Sequence, residues 1–196
     1  MRDHNSNPLG APVDVRIANR SDVSDVMALE SRYFRDNLDQ MQRSDGYISI
    51  LHSQSWFESA VDSEGLHVAV NASNDIVGFI AITDPPDPEA AKESSIMRAI
   101  LACVETVEFG GAPIAKQKFA LRGPVLVDRS ARGTGVYSAF NAATQLAYRD
   151  RYDVGVLFVA ADNARSLRTT TTKLGAKPVA QFEADSRTYH LLAFRF

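Results

Sequence analysis

The 196 residues carry 21 basic against 24 acidic side chains, a net charge of −3, with 45% hydrophobic residues and one cysteine. That balance excludes a general nucleic-acid or anionic-membrane binder, and the length suits one domain with a sizeable core. Cys103, standing alone, forbids an internal disulfide and fits a reducing, cytoplasmic setting.

Residues 1–12 are polar and hold Pro8, Gly10 and Pro12, so they read as a flexible lead-in without the apolar core of a signal peptide. No run of about eighteen apolar residues occurs, which speaks against a membrane span. Val13 to Ile17 alternates like a half-buried strand, and Ser21 is placed to cap a helix with Val26, Leu29 and Tyr33 on one face. Residues 37–55 are polar and irregular, after which Trp56, Phe57, Ala60 and Val61 predict a short second helix. Leu66–Val70 and Ile76–Ile82 flank a turn-rich spacer and predict a hairpin that Pro85, Pro86 and Pro88 then stop. Ile96, Ile100, Cys103, Val104 and Val107 recur at helical spacing, predicting one amphipathic helix from about 88 to 108.

The stretch Gly123–Tyr148 is the most informative. Phe119–Val127 predicts a strand, Arg132-Gly133-Thr134-Gly135 a tight turn, and Val136, Phe140, Ala143 and Ala147 a helix opening directly from it. The first amides of that helix have no internal partner and sit at the positive end of its dipole, so the turn is an anion cradle. Glycine suits the turn because a β-carbon would hold a phosphate away from the backbone. A P-loop would need Gly-Lys-Ser/Thr here, and a dinucleotide fold a third glycine where Ser138 stands. Downstream, Val154–Ala160 predicts a buried strand, and Asn163 begins a helix that ends at Gly175, a residue suited to the C-cap. Val179–Phe182 and Tyr189–Phe196 predict a closing hairpin.

Arg132-Gly133-Thr134-Gly135-Val136 is in register with the motif Arg/Gln-x-x-Gly-x-Gly/Ala, and strand, Asn163, helix, Leu174-Gly175, strand follows it. In these features the chain resembles the GNAT superfamily of acyl-CoA-dependent N-acyltransferases over residues 13–196. It departs from the motif at Tyr137, where Gly or Ala is usual, and the Thr169–Thr172 region stands where the family carries a Tyr or His. That segment is one residue longer than usual. The resemblance implies an α/β (α+β) fold with a mixed, mostly antiparallel sheet of about seven strands flanked by helices. A helical insert, residues 84–117, separates the third and fourth strands and would form an acceptor wall, a dimer contact or a cover for a sheet edge.

The implied activity moves an acetyl group from acetyl-CoA to a primary amine of a small molecule or protein, by direct attack in a ternary complex and without metal. A non-catalytic acyl-CoA-binding sensor is the alternative, and a nucleotide-binding domain of another fold a third reading. The resemblance places Arg132, Gly133, Thr134, Gly135, Val136, Tyr137 and Ser138 around the diphosphate of coenzyme A. It places Val125, Leu126 and Val127 along the pantetheine, with the thioester carbonyl against an amide near Val125 or Leu126, and Asn163 and Ser166 on the pantetheine or phosphate arm. No nucleic acid or membrane partner is implied, and the protein would be a monomer or homodimer.

Many relatives carry a Glu on the fourth strand to receive the amine's proton, but Phe119–Val127 holds no acid. Glu105, Glu108, Asp84 and His52 are the candidates for that role, and Thr170 for a hydroxyl near the sulfur. Asp128 is expected to stabilise the phosphate turn, Arg122 to face either solvent or an acidic acceptor, and Tyr47, Trp56 and Phe57 to build the acceptor wall. Cys103 reads as core.

Overall fold

A computed structural model describes residues 13–196, and the expected lead-in over 1–12 lies outside the described residues. Strand β1 (Asp14–Ile17) leads into helix α1 (Val23–Arg32). The cap lies earlier than the sequence suggested: Asn19 and Asp22 form a capping box around a 3₁₀ turn, and Ser21 sits inside it. A further turn of helix, α2 (Gln40–Ser44), breaks the stretch expected to be irregular, because Asp39 and Gln42 also form a capping box. Then come α3 (Gln54–Asp62), β2 (Leu66–Val70) and β3 (Ile76–Thr83).

The insert holds α4 (Pro88–Ala91), α5 (Ser95–Thr106) and a ribbon of β4 (Glu108–Phe109) and β5 (Ala112–Pro113). The single helix expected there is therefore two, since Asp87 and Ser94 each cap a fresh start. After it run β6 (Phe119–Val127), α6 (Val136–Tyr148), β7 (Val154–Ala160), α7 (Ala164–Thr169), β8 (Lys177–Ala184) and β9 (Arg187–Arg195).

Seven strands make one sheet in the order β1-β2-β3-β6-β7-β9-β8. Every neighbouring pair is antiparallel except β6 and β7. One face is covered by α1 and α3, where Val26, Leu29 and Phe57 pack on Val68, Phe79 and Leu126. The insert extends that cover: Ile96, Ile100 and Val104 of α5 are buried against Val154, Val156, Phe182 and Leu191. Each such aliphatic side chain contributes about 1.5–3 kcal/mol on burial. The opposite face holds α6, with Val136, Phe140 and Tyr148 against Ile80, Ile82 and Ala120, and Leu167 and Leu174 beside Leu157 and Leu192. Gly155 on β7 allows a close approach there, since a β-carbon would collide with the Phe194 ring.

Past α7 the chain makes a π turn over Thr170–Leu174 before Gly175 closes it in the left-handed conformation, φ 74°. A π turn takes one more residue than an α turn. Such a turn would take up the extra residue that the resemblance implies for this segment.

Candidate functional site

The one parallel pair is short. Phe119, Ala120 and Leu121 pair with Val154, Gly155 and Val156, and the ladder stops there although both strands continue. The next residues of β6 are Arg122, Gly123 and Pro124; Gly123 has φ 137° and proline has no N–H to offer a neighbour. On its other edge β6 stays paired with β3 through Val125, Leu126 and Val127. The result is a gap in the sheet between β6 and β7.

Peptide groups along a strand alternate between its two edges. Asp128 N–H donates to Val77 O on β3, and the Leu126 carbonyl faces Gly78 of β3. Val125 and Val127 therefore turn their amides and carbonyls into the gap. Leu126, expected to share that task, is turned the other way.

At the end of β6, Asp128 holds the turn as expected. Its Oδ1 accepts from Ser130 N–H at 2.9 Å and Ser130 Oγ–H at 2.6 Å, and Tyr33 O–H donates to Oδ2 at 3.3 Å. Burial alone would raise this carboxyl; the Ser130 donors, Arg32 and Tyr33 outweigh it and hold the pKa below the ordinary carboxylate value. A depressed pKa means that the stabilisation is present above the unfolded value, near 3.9, and is lost as pH falls through the folded value. Asp128→Asn is expected to cost about 1 kcal/mol and to flatten the acid limb of stability below about pH 4, read by thermal unfolding across pH.

Gly133 and Gly135 follow with φ of 83° and 94°, and a β-carbon on either would enter open space. The helical ladder of α6 begins with Ala139 N–H donating to Gly135 O at 2.9 Å, and no side chain caps the helix. The amides of Val136, Tyr137 and Ser138 are thus left without helical acceptors. Val136 is buried in the core beneath, Ser138 is exposed, and the Thr134 hydroxyl donates to Ala131 O at 2.7 Å within the turn.

The Arg132 side chain is engaged by protein. Its Nε donates to Val127 O and its Nη1 to Asp45 O, both at 3.1 Å, and the guanidinium lies over the Tyr33 ring at 5.4 Å. Burial and the neighbouring Arg165 lower its pKa. Asp45 also meets Arg129 at 3.2 Å and Arg165 at 3.1 Å, so basic residues gather around the cradle. Asn163 is equally committed: its Oδ1 accepts from Ser166 N–H at 3.3 Å and its Nδ2 donates to Tyr47 O at 3.0 Å. It works as a cap for α7 and a strut to the loop after α2. Tyr47 O–H donates to Asp162 and accepts from Arg187 at 2.7 Å; burial and Asp162 push its pKa up to about 12.

Cradle and gap open into one cavity of about 710 Å³. Val125, Leu126 and Val127, Gly133 and Gly135, Asn163, Ser166 and Thr170 are on its wall, with Trp56 and His52 at the α3 side and Ala90, Met97 and Ile100 from the insert. Phe57 is instead buried in the core behind Trp56. Thr171 and Thr172 donate back to carbonyls of α7, whereas Thr170 makes no such bond and faces the cavity. Glu105 and Glu108 are exposed and absent from the wall. Asp84 touches the cavity, yet its carboxylate accepts from Arg151 at 2.7 Å and Tyr152 O–H at 2.6 Å. Cys103 is half-buried on α5, and burial raises its thiol.

Two features go beyond the sequence reading. Arg122 faces neither solvent nor the acceptor side: it is 4% exposed, with Nη2 donating to Asn141 Oδ1 at 2.8 Å and the rings of Tyr137 and Phe194 at 5.3 and 5.9 Å. Strand alternation sets Arg122 on the same face of β6 as Ala120, under α6, and burial lowers its pKa against the pull of the Tyr137 hydroxyl. Arg122 Nε and Tyr137 Oη are buried without partners, and both residues border the cavity. The second feature is Glu30, 1% exposed on α1, whose Oε1 lies 2.7 Å from His52 Nδ1.

Among the described residues, no cluster of His, Cys, Asp or Glu could hold a metal, and no helix is long and apolar enough to cross a membrane. No protein-family model and no curated protein matches the sequence. Solved structures do match by shape. A GNAT family acetyltransferase from Streptococcus agalactiae is similar with a TM-score of 0.62 at 13% identity, over 94% of this chain and 95% of that one. Ard1 from Thermoplasma volcanium is similar with a TM-score of 0.60 at 17% identity, over 93% and 97%. NAA60 of Arabidopsis thaliana, in complex with a bisubstrate analogue, gives 0.60 at 15%, over 94% and 98%. With this likeness in shape over nearly its whole length, the chain has the fold of the GNAT acetyltransferases.

Proposed function

We propose that the protein is an acyl-CoA-dependent N-acyltransferase, moving an acetyl group from acetyl-CoA to a primary amine. The observation that carries this reading is the gap between β6 and β7, which runs from an open glycine cradle into a cavity. Residues present fit the donor. The free amides of Val136, Tyr137 and Ser138, beside Gly133 and Gly135, would hold the diphosphate. Val125 and the Val127 amide would pair with the pantetheine along the open edge of β6, the Val127 carbonyl being held by Arg132, and the Val125 amide would receive the thioester carbonyl as an oxyanion donor. Arg122 and Tyr137 border the cavity, and a small shift of either on binding would bring Nε or Oη, sealed and unpaired in this structure, to polar groups of the same arm. Arg132 and Asn163 act as positioning residues that fix the cradle and the loop carrying Tyr47. Acetyl-CoA, when bound, supplies an activated acetyl group; the protein orients it, keeps water out and places the Thr170 hydroxyl for the departing sulfur.

Thermal unfolding with acetyl-CoA, coenzyme A, NAD and ATP tests this reading. Acetyl-CoA and coenzyme A should raise the midpoint, by about 2.7 kcal/mol of stability at 100 times the Kd, and NAD and ATP should not. Stabilisation by NAD or ATP alone would overturn it. One observation favours the sensor reading instead: β6 presents Leu121, and no acid, to the cavity. Thiol release from acetyl-CoA across a panel of amines separates the two, since a sensor binds without turnover.

A further inference from the structure

We infer that Glu30 and His52 form a carboxylate–imidazole dyad that takes the proton from the acceptor amine. The proposal rests on the acyl-transfer reading above and fills the role that β6 leaves open.

The geometry is specific. Both oxygens of the Glu30 carboxylate are held by one residue: Oε2 accepts from His52 N–H at 3.0 Å, and Oε1 lies 2.7 Å from His52 Nδ1. A carboxylate buried to 1% exposure is tolerated only when paired in this way. With the carboxylate as acceptor, Nδ1 carries the hydrogen and Nε2 presents its lone pair. Trp56 fixes the ring plane, its centroid 4.0 Å from that of His52, and Phe57 flanks it at 5.8 Å. His52 is on the cavity wall, and its Nε2 makes no protein hydrogen bond and is not sealed from solvent. It is thus a basic atom left free on the wall of the cavity that Thr83, Met97 and Leu121 also line.

The other titratable groups on the wall, apart from the sealed Tyr137 hydroxyl, are engaged elsewhere. Asp84 is held by Arg151 and Tyr152, and Asp45 by Arg129, Arg132 and Arg165. Tyr33 bonds Asp128, Tyr47 bonds Asp162, and Arg122 with Tyr137 lies under α6. Against His52 itself, α1 sets Glu30 and α3 sets the two aromatic rings.

The step balances. The neutral amine nitrogen forms a bond to the acyl carbon, the carbon–sulfur bond breaks, and its electron pair leaves with sulfur. The amine proton passes to His52 Nε2, the Glu30 carboxylate stabilises the imidazolium, and the proton is returned to the thiolate. Amide and free thiol result, with nothing oxidised or reduced. His52 is the catalytic residue and Glu30 the positioning residue.

The test compares wild type, His52→Gln and Glu30→Gln. Acetyl-CoA binding is read by thermal shift, thiol release with hydroxylamine as a minimal nucleophile is read from pH 5 to 8 and corrected for its own protonation, and the His52 tautomer is read by ¹⁵N NMR. All three proteins should bind acetyl-CoA alike. His52→Gln should lose about 100-fold in kcat and the rise of rate with pH on the acid side of the profile. Glu30→Gln should lower kcat with KM for acetyl-CoA unchanged, and should move the His52 hydrogen away from Nδ1. A His52→Gln protein with the wild-type rate and profile, or a wild-type His52 protonated at Nε2 alone, defeats the dyad while the donor reading stands. Failure of the wild-type protein to bind acetyl-CoA defeats the donor reading and this proposal with it.

Discussion

Gly135→Val is expected to abolish stabilisation by acetyl-CoA while leaving the unliganded fold in place. Two effects act together. The residue holds φ 94°, where a β-carbon costs about 1–2 kcal/mol and a branched one more. A β-carbon there would meet nothing within 4 Å beyond its chain neighbours, so the valine side chain has room to project into the space assigned to the diphosphate. The protein core is untouched, because the neighbouring Val136 carries the packing of this turn. Affinity should fall by about 100-fold or more, equivalent to about 2.7 kcal/mol, measurable by titration calorimetry. A variant that binds acetyl-CoA like the wild type would remove the cradle from the site.

The second large effect runs in two directions. Arg122→Met should leave the unliganded protein equally stable or more so, and should weaken acetyl-CoA binding about tenfold or more. A guanidinium buried at 4% exposure has here one amide oxygen and two aromatic faces for company and no carboxylate. Replacing such a buried charge by an apolar side chain of similar length is often neutral or stabilising by about 1–4 kcal/mol. Keeping it therefore calls for a benefit that appears only with ligand present. Unfolding midpoints with and without acetyl-CoA measure both arms. Lower stability together with unchanged affinity would make Arg122 a structural residue.

The sheet and its helices were legible because they depend on local patterns. Alternation over Val13–Ile17 and the apolar run over Val154–Ala160 gave β1 and β7, and the turn chemistry around Gly133 and Gly135 gave the start of α6. The break in the insert was not, since Ser94 is an ordinary residue inside a helical period until its hydroxyl is seen capping Met97. Arg122 escaped because alternation with Ala120 sets its face of β6, while nothing local says that α6 covers that face and buries a guanidinium there.

Glu30 was closer to hand. Val26, Leu29, Glu30 and Tyr33 fall at i, i+3, i+4 and i+7, so this acid lies on the apolar stripe of α1 and had to be buried. An acid on such a stripe needs a partner, and reading it that way would have joined it to a polar residue of another element. His52 supplied no signal of its own, being one imidazole in a polar stretch. Asn163 and Arg132 show the reverse limit: their positions fit the motif, while their polar atoms are engaged by Tyr47, Ser166, Val127 and Asp45.

The widened turn at Thr170–Leu174 bears on how this chain can be compared with others. Threading it without a gap onto a shorter homologue displaces Gly175 from the left-handed position and offsets β8 by one step. A one-step offset exchanges inward and outward side chains, so Phe182 would trade places with Gln181 or Glu183. Superposition of coordinates escapes that error because the surplus residue is looped out before the strand begins.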